Sequence, residues 1–185
     1  MMRHKMLVRA THWINFLSFL ALAVSGIAIL LAHPRFYWGE TGYFDTPAAF
    51  ELPLPVNLDQ SGWGRNLHFL AAWIAVINGF IYVVWGLLSG HFRYTGYNLI
   101  QKLAYVTVVF GLLPLTILTG LTLSPAVTAA YPALFIIFGG RQSARTVHFL
   151  VADLLVLFLV VHVAMTIRGG FTNHMRGMIT GFEER

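Results

Sequence analysis

Arg145-Thr-Val-His148-Phe-Leu-Val-Ala-Asp-Leu-Leu-Val-Leu-Phe-Leu-Val-Val-His162 is an almost unbroken apolar run with a histidine near each end. With its flanks it is long enough to read as one membrane-spanning helix, which needs roughly 20 apolar residues. The two histidines are fourteen residues apart. In a helix that spacing is a rise of about 21 Å and a return to within roughly 40° of the starting direction. One helix face therefore presents two imidazoles at two depths. The opening of the run recurs: Arg9-Ala-Thr-His12-Trp13, Arg65-Asn-Leu-His68-Phe69 and Arg145-Thr-Val-His148-Phe149 share the pattern R-x-x-H-[F/W]. Helical residues three apart share a face, so each arginine lies one turn from its histidine. An imidazole able to ligate iron, beside a cation able to bind an anionic tail, suits a haem with its propionates.

Working outward, the whole chain has the composition of a membrane protein. It is 57% hydrophobic and 10% charged, with a mean hydropathy of +0.70, whereas soluble domains carry about 25% charge. Apolar runs predict four spans at about 12–32, 66–88, 99–124 and 144–167. The expected fold class is all-α: a four-transmembrane-helix bundle forming a single domain over 1–185. The start also resembles a secretory signal, with Ala21-Leu22-Ala23 as a cleavage site. Its apolar run continues to Ala32, however, and cleavage would delete His12, so an uncleaved first helix is expected.

The net charge of +5 is not gathered into a nucleic-acid patch. It follows the membrane instead. With the N-terminus in the cytoplasm, that side holds Arg3, Lys5, Arg9, Arg93, Lys102, Arg168, Arg176 and Arg185. The outer side holds Arg35, Arg65, Arg141 and Arg145, and four of the seven acids (Glu40, Asp45, Glu51, Asp59) fall in the first outer loop. This bias predicts both termini on the cytoplasmic side. Arg9 is explained by the bias as well as by a propionate. Arg65 and Arg145 run against it, which makes a propionate partner the stronger account for those two, with Arg141 a weaker candidate.

Cysteine is absent. That excludes a disulfide framework, thiolate-held iron–sulfur clusters and covalent haem attachment through C-x-x-C-H, so any haem is non-covalent and b-type. Depth then pairs the ligands. His12 is cytoplasmic, His68 and His148 are outer, and His162 lies near the inner end of the last span. The expectation is two haems, one held by His68 and His148 and one by His12 and His162, forming a wire across the bilayer. Filling both axial positions favours electron transfer over oxygen binding. His4, His33, His91 and His174 lie in loops or tails without such pairing and are read as non-ligands.

This layout resembles the bacterial di-haem cytochrome b family, which includes the four-helix subunits of nickel–iron hydrogenases, formate dehydrogenases and molybdopterin oxidoreductases. The resemblance runs from about Arg9 to Arg168. The family carries one ligand on its first helix, one on its second and two on its fourth, which corresponds in order to His12, His68, His148 and His162. It also pairs the second-helix ligand with the first on the fourth helix, in agreement with depth. The loop His33-Pro-Arg-Phe-Tyr-Trp-Gly-Glu-Thr-Gly42 is similar to members that serve periplasmic molybdopterin oxidoreductases. By resemblance to formate dehydrogenase, a quinone site is placed near the inner haem, with Asn15, His91, Arg93 and Tyr97 as polar groups to line it.

The loops carry further expectations. Phe36, Tyr37, Trp38, Tyr43 and Phe44 among acids fit covering a haem edge, docking of a soluble partner or anchoring at the membrane interface. Ala133–Phe138 is too short to span and reads as an interfacial or re-entrant segment. Asp153, five residues past His148, faces away from the ligand face. A hydrogen bond to a neighbouring helix is the preferred reading and a proton relay the other. Pro114 is expected to kink the third span, and Gly111, Thr116, Thr119 and Gly120 to allow close packing.

The sequence thus predicts a multi-pass protein of the bacterial cytoplasmic membrane that carries electrons between a periplasmic oxidoreductase and the quinone pool. It is read as an electron-transfer subunit, with a quinone redox site of its own as a candidate. The alternative is a stand-alone superoxide:quinone oxidoreductase, its substrate drawn by Arg65, Arg141 and Arg145. A transporter or assembly factor is the third reading. Transporters break their helices with polar residues near the midplane, whereas here the distinctive residues cluster at the two surfaces.

Overall fold

The computed structural model describes residues 5–42, 45–93 and 99–182, with Arg93 followed along its backbone alone. Four helices are long and apolar enough to cross a membrane: Met6–Ala32, Gln60–Leu88, Leu99–Thr122 and Arg141–Arg168. We call the first two α1 and α2 and the last α7. The third is a composite of α3 (Leu99–Val106), a π-helical stretch (Thr107–Leu112) and α4 (Leu113–Thr122). α1 and α2 begin at 6 and 60 rather than near 12 and 66, because a helix continues through the polar headgroup region while an apolar window sees only the hydrocarbon part. His12 and His68 accordingly lie inside their helices and not in the first turn.

The π stretch is how the chain accommodates Pro114. Proline has no N–H to give to the carbonyl four residues earlier, and its ring crowds that carbonyl. The ladder widens just upstream instead of breaking, a common way to absorb such a defect.

Tertiary contacts fall into two compact units, one comprising residues 1–33, 55–95 and 162–185 and the other 34–54 and 96–161. In the first unit α1 packs along α2 through small side chains. Ser25, Ala28, Ala32, Gly64 and Ala71 are buried, and a Cβ on Gly64 would sit 3.0 Å from that of Ala28 and 3.3 Å from the Ser25 carbonyl. Close backbone approach of this kind drives helix pairing in lipid, where burying one apolar surface against another brings little gain. Further along, the buried Asn78 amide donates to the Thr11 carbonyl and to Asn15 Oδ1, both at 2.8 Å. A C-terminal helix, α8 (Phe171–Thr180), is tied to α1 where Trp13 Nε1 donates to the Met178 carbonyl at 3.1 Å.

In the second unit the first loop forms a two-stranded hairpin, β1 (Arg35–Phe36) and β2 (Phe50–Glu51), with Arg35 opposite Glu51 and Phe36 opposite Phe50. An Arg35–Glu51 ion pair at 2.9 Å closes it, and the carboxylate raises the Arg35 pKa further above its ordinary value. Phe36 stacks on Phe50 at 4.7 Å and meets Phe149 of α7 at 4.5 Å. The loop then caps α7. The Gln142 and Ser143 N–H groups donate to the Gly39 carbonyl at 3.0 and 3.2 Å, and the Gly39 N–H donates back to Ser143 Oγ at 2.7 Å. The Arg141 N–H reaches Glu40 Oε2 at 3.3 Å, and Thr146 Oγ1 donates to the Tyr37 carbonyl at 2.7 Å. These bonds satisfy N–H groups that an α-helix leaves without internal partners. Gly140 makes the approach feasible: its φ is +110°, and a Cβ there would overlap the backbone of Gly39.

Interfacial anchoring is therefore not the role of Phe36 and Tyr37, which are 1% and 7% exposed. Trp38 is exposed, whereas Tyr43 and Phe44 lie outside the described residues. The second outer connection forms two short helices, α5 (Pro125–Ala130) and α6 (Ala133–Phe138), and Ile136 and Ile137 of α6 project outward.

Candidate functional site

Within the first unit the structure brings His12 of α1 and His162 of α7 together, with ring centres 6.4 Å apart and planes tilted by 51°. Two imidazole nitrogens about 2.0 Å either side of a metal put ring centres about 6 Å apart, so the spacing of these two residues would suit holding one haem iron between them. Trp13 packs edge-on against His12 at 5.5 Å. Arg9, one turn earlier, points its guanidinium at the end of α8, donating to the Ile179 and Thr180 carbonyls at 2.7 and 3.0 Å. An arginine suits this place, because the last carbonyls of a helix lack partners and carry the negative end of its dipole.

His68 and His148 have matching seats on separate helix pairs. On the α1–α2 pair, His68 Nδ1 lies 2.9 Å from Ser25 Oγ, with the Leu22 carbonyl also bonded to the ring. In the second unit, His148 Nδ1 lies 2.9 Å from Thr119 Oγ1 and 3.1 Å from the Thr116 carbonyl, both on α4. A glycine follows each hydroxyl. A Cβ on Gly26 would stand 3.9 Å from His68 Cε1, and one on Gly120 would stand 3.3 Å from His148 Cε1.

The two outer arginines differ. Arg65 is exposed, and its Nε donates to the Ser61 carbonyl at 3.2 Å. Arg145 is half-buried, lies over the Phe36 ring at 4.8 Å and reaches Gln142 Oε1 at 3.4 Å. Arg141 lies over Phe135 at 5.5 Å.

Of the polar groups read as lining a quinone site, Asn15 is engaged by Asn78, and His91 sits among Trp85 (5.2 Å), Tyr82 and Phe92 (6.0 Å each). Lys5 lies over the same Trp85 at 5.5 Å. Burial first, and the Lys5 charge second, hold His91 below the ordinary histidine pKa. Tyr97 and the Arg93 side chain lie outside the described residues, as does His4. His33 stands at the end of α1, and His174 lies on α8. Asp153 is exposed on α7 and makes no hydrogen bond or ion pair among the described residues. The interhelical bond expected of it is thus not seen there. Gly111 has open space where its Cβ would be, so it does not mediate the close packing expected of it. Among the described residues no cluster of three or more His, Cys, Asp or Glu is placed to hold a bare metal ion.

Sequence reading missed Ser25 and Asn78 altogether, and it saw Thr119 as a packing residue. The hydroxyl–glycine pairs Ser25-Gly26 and Thr119-Gly120 were a usable signal once two copies of R-x-x-H-F had been noticed. Asn78, a lone amide in an apolar run, could have been found by the rule that polar groups inside a membrane find partners.

A mostly helical multi-pass protein, cysteine-free, with two histidine rings 6.4 Å apart, has the make-up of a membrane cytochrome of the b type. The sequence pattern of the prokaryotic cytochrome b561 family matches residues 3–181, and the chain belongs to that family. It is a haem b membrane protein of electron transfer. A protein of Azospira oryzae, named as a candidate protein-methionine-sulfoxide reductase subunit, YedZ1, is 29% identical over 192 residues, covering 88% of each chain. No solved structure matches the chain.

Proposed function

We propose that this chain is the membrane subunit of a reductase and carries electrons between the quinone pool and a periplasmic oxidoreductase. The 6.4 Å approach of His12 and His162 is the observation that carries this reading. Two b haems are assigned, one to His12 and His162 and the other, by depth in the sequence, to His68 and His148. When bound by two histidines, such a haem would supply one-electron transfer rather than oxygen binding. The chain's own work is to hold and orient the four imidazoles and to keep lipid and water from them. Arg65 and Arg145 are the proposed propionate partners. For Arg9 the bonds to α8 are the stronger role.

The relative's name, a subunit of a reductase acting on methionine sulfoxide in proteins, favours outward flow from quinol to a soluble partner, and a molybdopterin enzyme is the class of partner proposed. The proposed setting is the bacterial cytoplasmic membrane with both termini inside, as the positive charges of Lys5, Arg9, Lys102, Arg168 and Arg176 suggest.

Haem per polypeptide, measured by pyridine haemochrome on wild type, His68→Ala and His162→Ala, tests the reading. Two haems in wild type and one in each variant is the expected result. Loss unrelated to these histidines overturns it. Haem reduction by superoxide with no partner present would instead establish the stand-alone oxidoreductase.

A further inference from the structure

His68 and His148 are held by the same local device, built twice. On α1, Ser25 Oγ donates to the Ala21 carbonyl at 2.7 Å and lies 3.1 Å from the Leu22 carbonyl. On α4, Thr119 Oγ1 donates to the Leu115 carbonyl at 2.8 Å and lies 3.0 Å from the Thr116 carbonyl. Each hydroxyl proton is thus committed to its own helix, and the oxygen faces the histidine as an acceptor. Beside it stands a backbone carbonyl, of Leu22 or Thr116, that can only accept. The His148 ring therefore meets two acceptors at Nδ1, and the His68 ring meets Ser25 Oγ there with the Leu22 carbonyl also bonded to the ring; an Nδ1 that faces acceptors donates from that atom. The proton on Nδ1 leaves the Nε2 lone pair unprotonated, the form that binds iron. The glycine after each hydroxyl keeps the space beside Cε1 open.

We infer that Ser25 and Thr119 are positioning residues for the haem-ligating histidines. Together with the Leu22 and Thr116 carbonyls they lock His68 and His148 as Nδ1–H tautomers with Nε2 presented to iron. The two seats are copies of one motif, a hydroxyl–glycine pair on one helix and Arg-x-x-His-Phe on the next. The inference rests on the assignment of His68 and His148 as ligands. Partners of this kind raise ligand basicity and fix ring orientation, and removing them typically lowers metal affinity by about 10–100-fold. A carbonyl acceptor survives at each seat when the hydroxyl is removed, so the lower end, about tenfold, is expected.

The test uses the full-length purified protein and five variants: Ser25→Ala, Thr119→Val, the conservative swaps Ser25→Thr and Thr119→Ser, and Thr122→Val. Thr122 is a fully buried hydroxyl on α4 that donates to the Leu118 carbonyl at 2.9 Å. Haem loss to apomyoglobin, the low-spin EPR signals and the midpoint potentials are read. Ser25→Ala and Thr119→Val should each weaken haem retention about tenfold, shift one low-spin signal and raise the midpoint of one haem, since a less basic imidazole favours ferrous iron. The conservative swaps should restore all three readouts, and Thr122→Val should leave them at wild-type values. Unchanged spectra and potentials in Ser25→Ala and Thr119→Val overturn the inference, as does an equal change in Thr122→Val or failure of the swaps to restore. A shift at only one seat overturns the claim that they are copies. His68→Ala and His148→Ala run alongside. If both keep two haems, the ligand assignment itself has failed; if each loses one while the hydroxyl variants are silent, the positioning role alone has failed. Should Thr119→Val not accumulate, Ser25→Ala and its rescue by Ser25→Thr decide the matter.

Discussion

The surroundings of His68 and His148 differ far more than their seats do. Near His68, Arg65 at the start of α2 is exposed and its Nε donates one turn back along its own helix, to the Ser61 carbonyl. At His148 a whole loop is folded onto the helix start. Phe36 is wedged against Phe149, Tyr37 takes the Thr146 hydroxyl, Gly39 takes two helix N–H groups, and Arg145 is pressed over Phe36. Seating a histidine needs only one turn of a neighbouring helix, a hydroxyl and a glycine. Covering it needs chain from elsewhere. The same sequence motif has therefore been given two different degrees of enclosure.

Removing the ligands is the most severe way to probe that comparison. The double variant His68→Ala/His148→Ala should retain one haem per polypeptide, the same number as either single variant, if the two histidines serve one haem. Loss of both haems in the double variant would break the pairing by depth. Next in size is the cover. Gly140→Ala forces a non-glycine residue to φ +110° and drives its Cβ into Gly39, at a cost of about 1–3 kcal/mol for the strained backbone alone. We expect the 35–51 hairpin to become protease-sensitive while the α1–α2 half keeps its thermal stability. Equal loss of stability in both halves would mean that the cover is not a local device.

The seats themselves are compared by a smaller pair of changes. At Gly120 an added methyl stands 3.3 Å from the His148 ring, closer than most real contacts, whereas at Gly26 the distance of 3.9 Å is ordinary. Gly120→Ala should shift one low-spin haem signal, and Gly26→Ala should leave the spectrum as in wild type. The smallest effect is expected for Thr146→Val, which removes one hydroxyl bond to Tyr37, about 1 kcal/mol. Hydrogen exchange should quicken in residues 35–42 and not in the helix that bears His68.

Much of this was legible in the chain. Four apolar runs named four membrane helices because lipid offers water to no backbone group, so a span must be helical and about 20 residues long. The R-x-x-H pattern and the fourteen-residue interval named the candidate ligands, because helical geometry converts spacing into facing. Three features were not legible in this way. Phe36 and Tyr37 look like interface aromatics in sequence, and their burial depends on a hairpin closed by Glu51, fifteen residues away. Arg9 carries the same motif as Arg65 and Arg145, but its guanidinium bonds carbonyls some 170 residues later. Pro114 pointed to a distortion of the third span but not to its form, a π-helical stretch at Thr107–Leu112.

By itself, then, the sequence determined the membrane helices, the b-type character of any haem and the histidines that could hold it. Each of these follows from local rules of composition, spacing and ligand chemistry. Only the tertiary structure decided which hydroxyl faces which ring and which loop folds onto the start of α7. Those depend on side chains from remote segments meeting within about 3 Å, the length of a hydrogen bond, and no spacing along one chain segment encodes such a meeting.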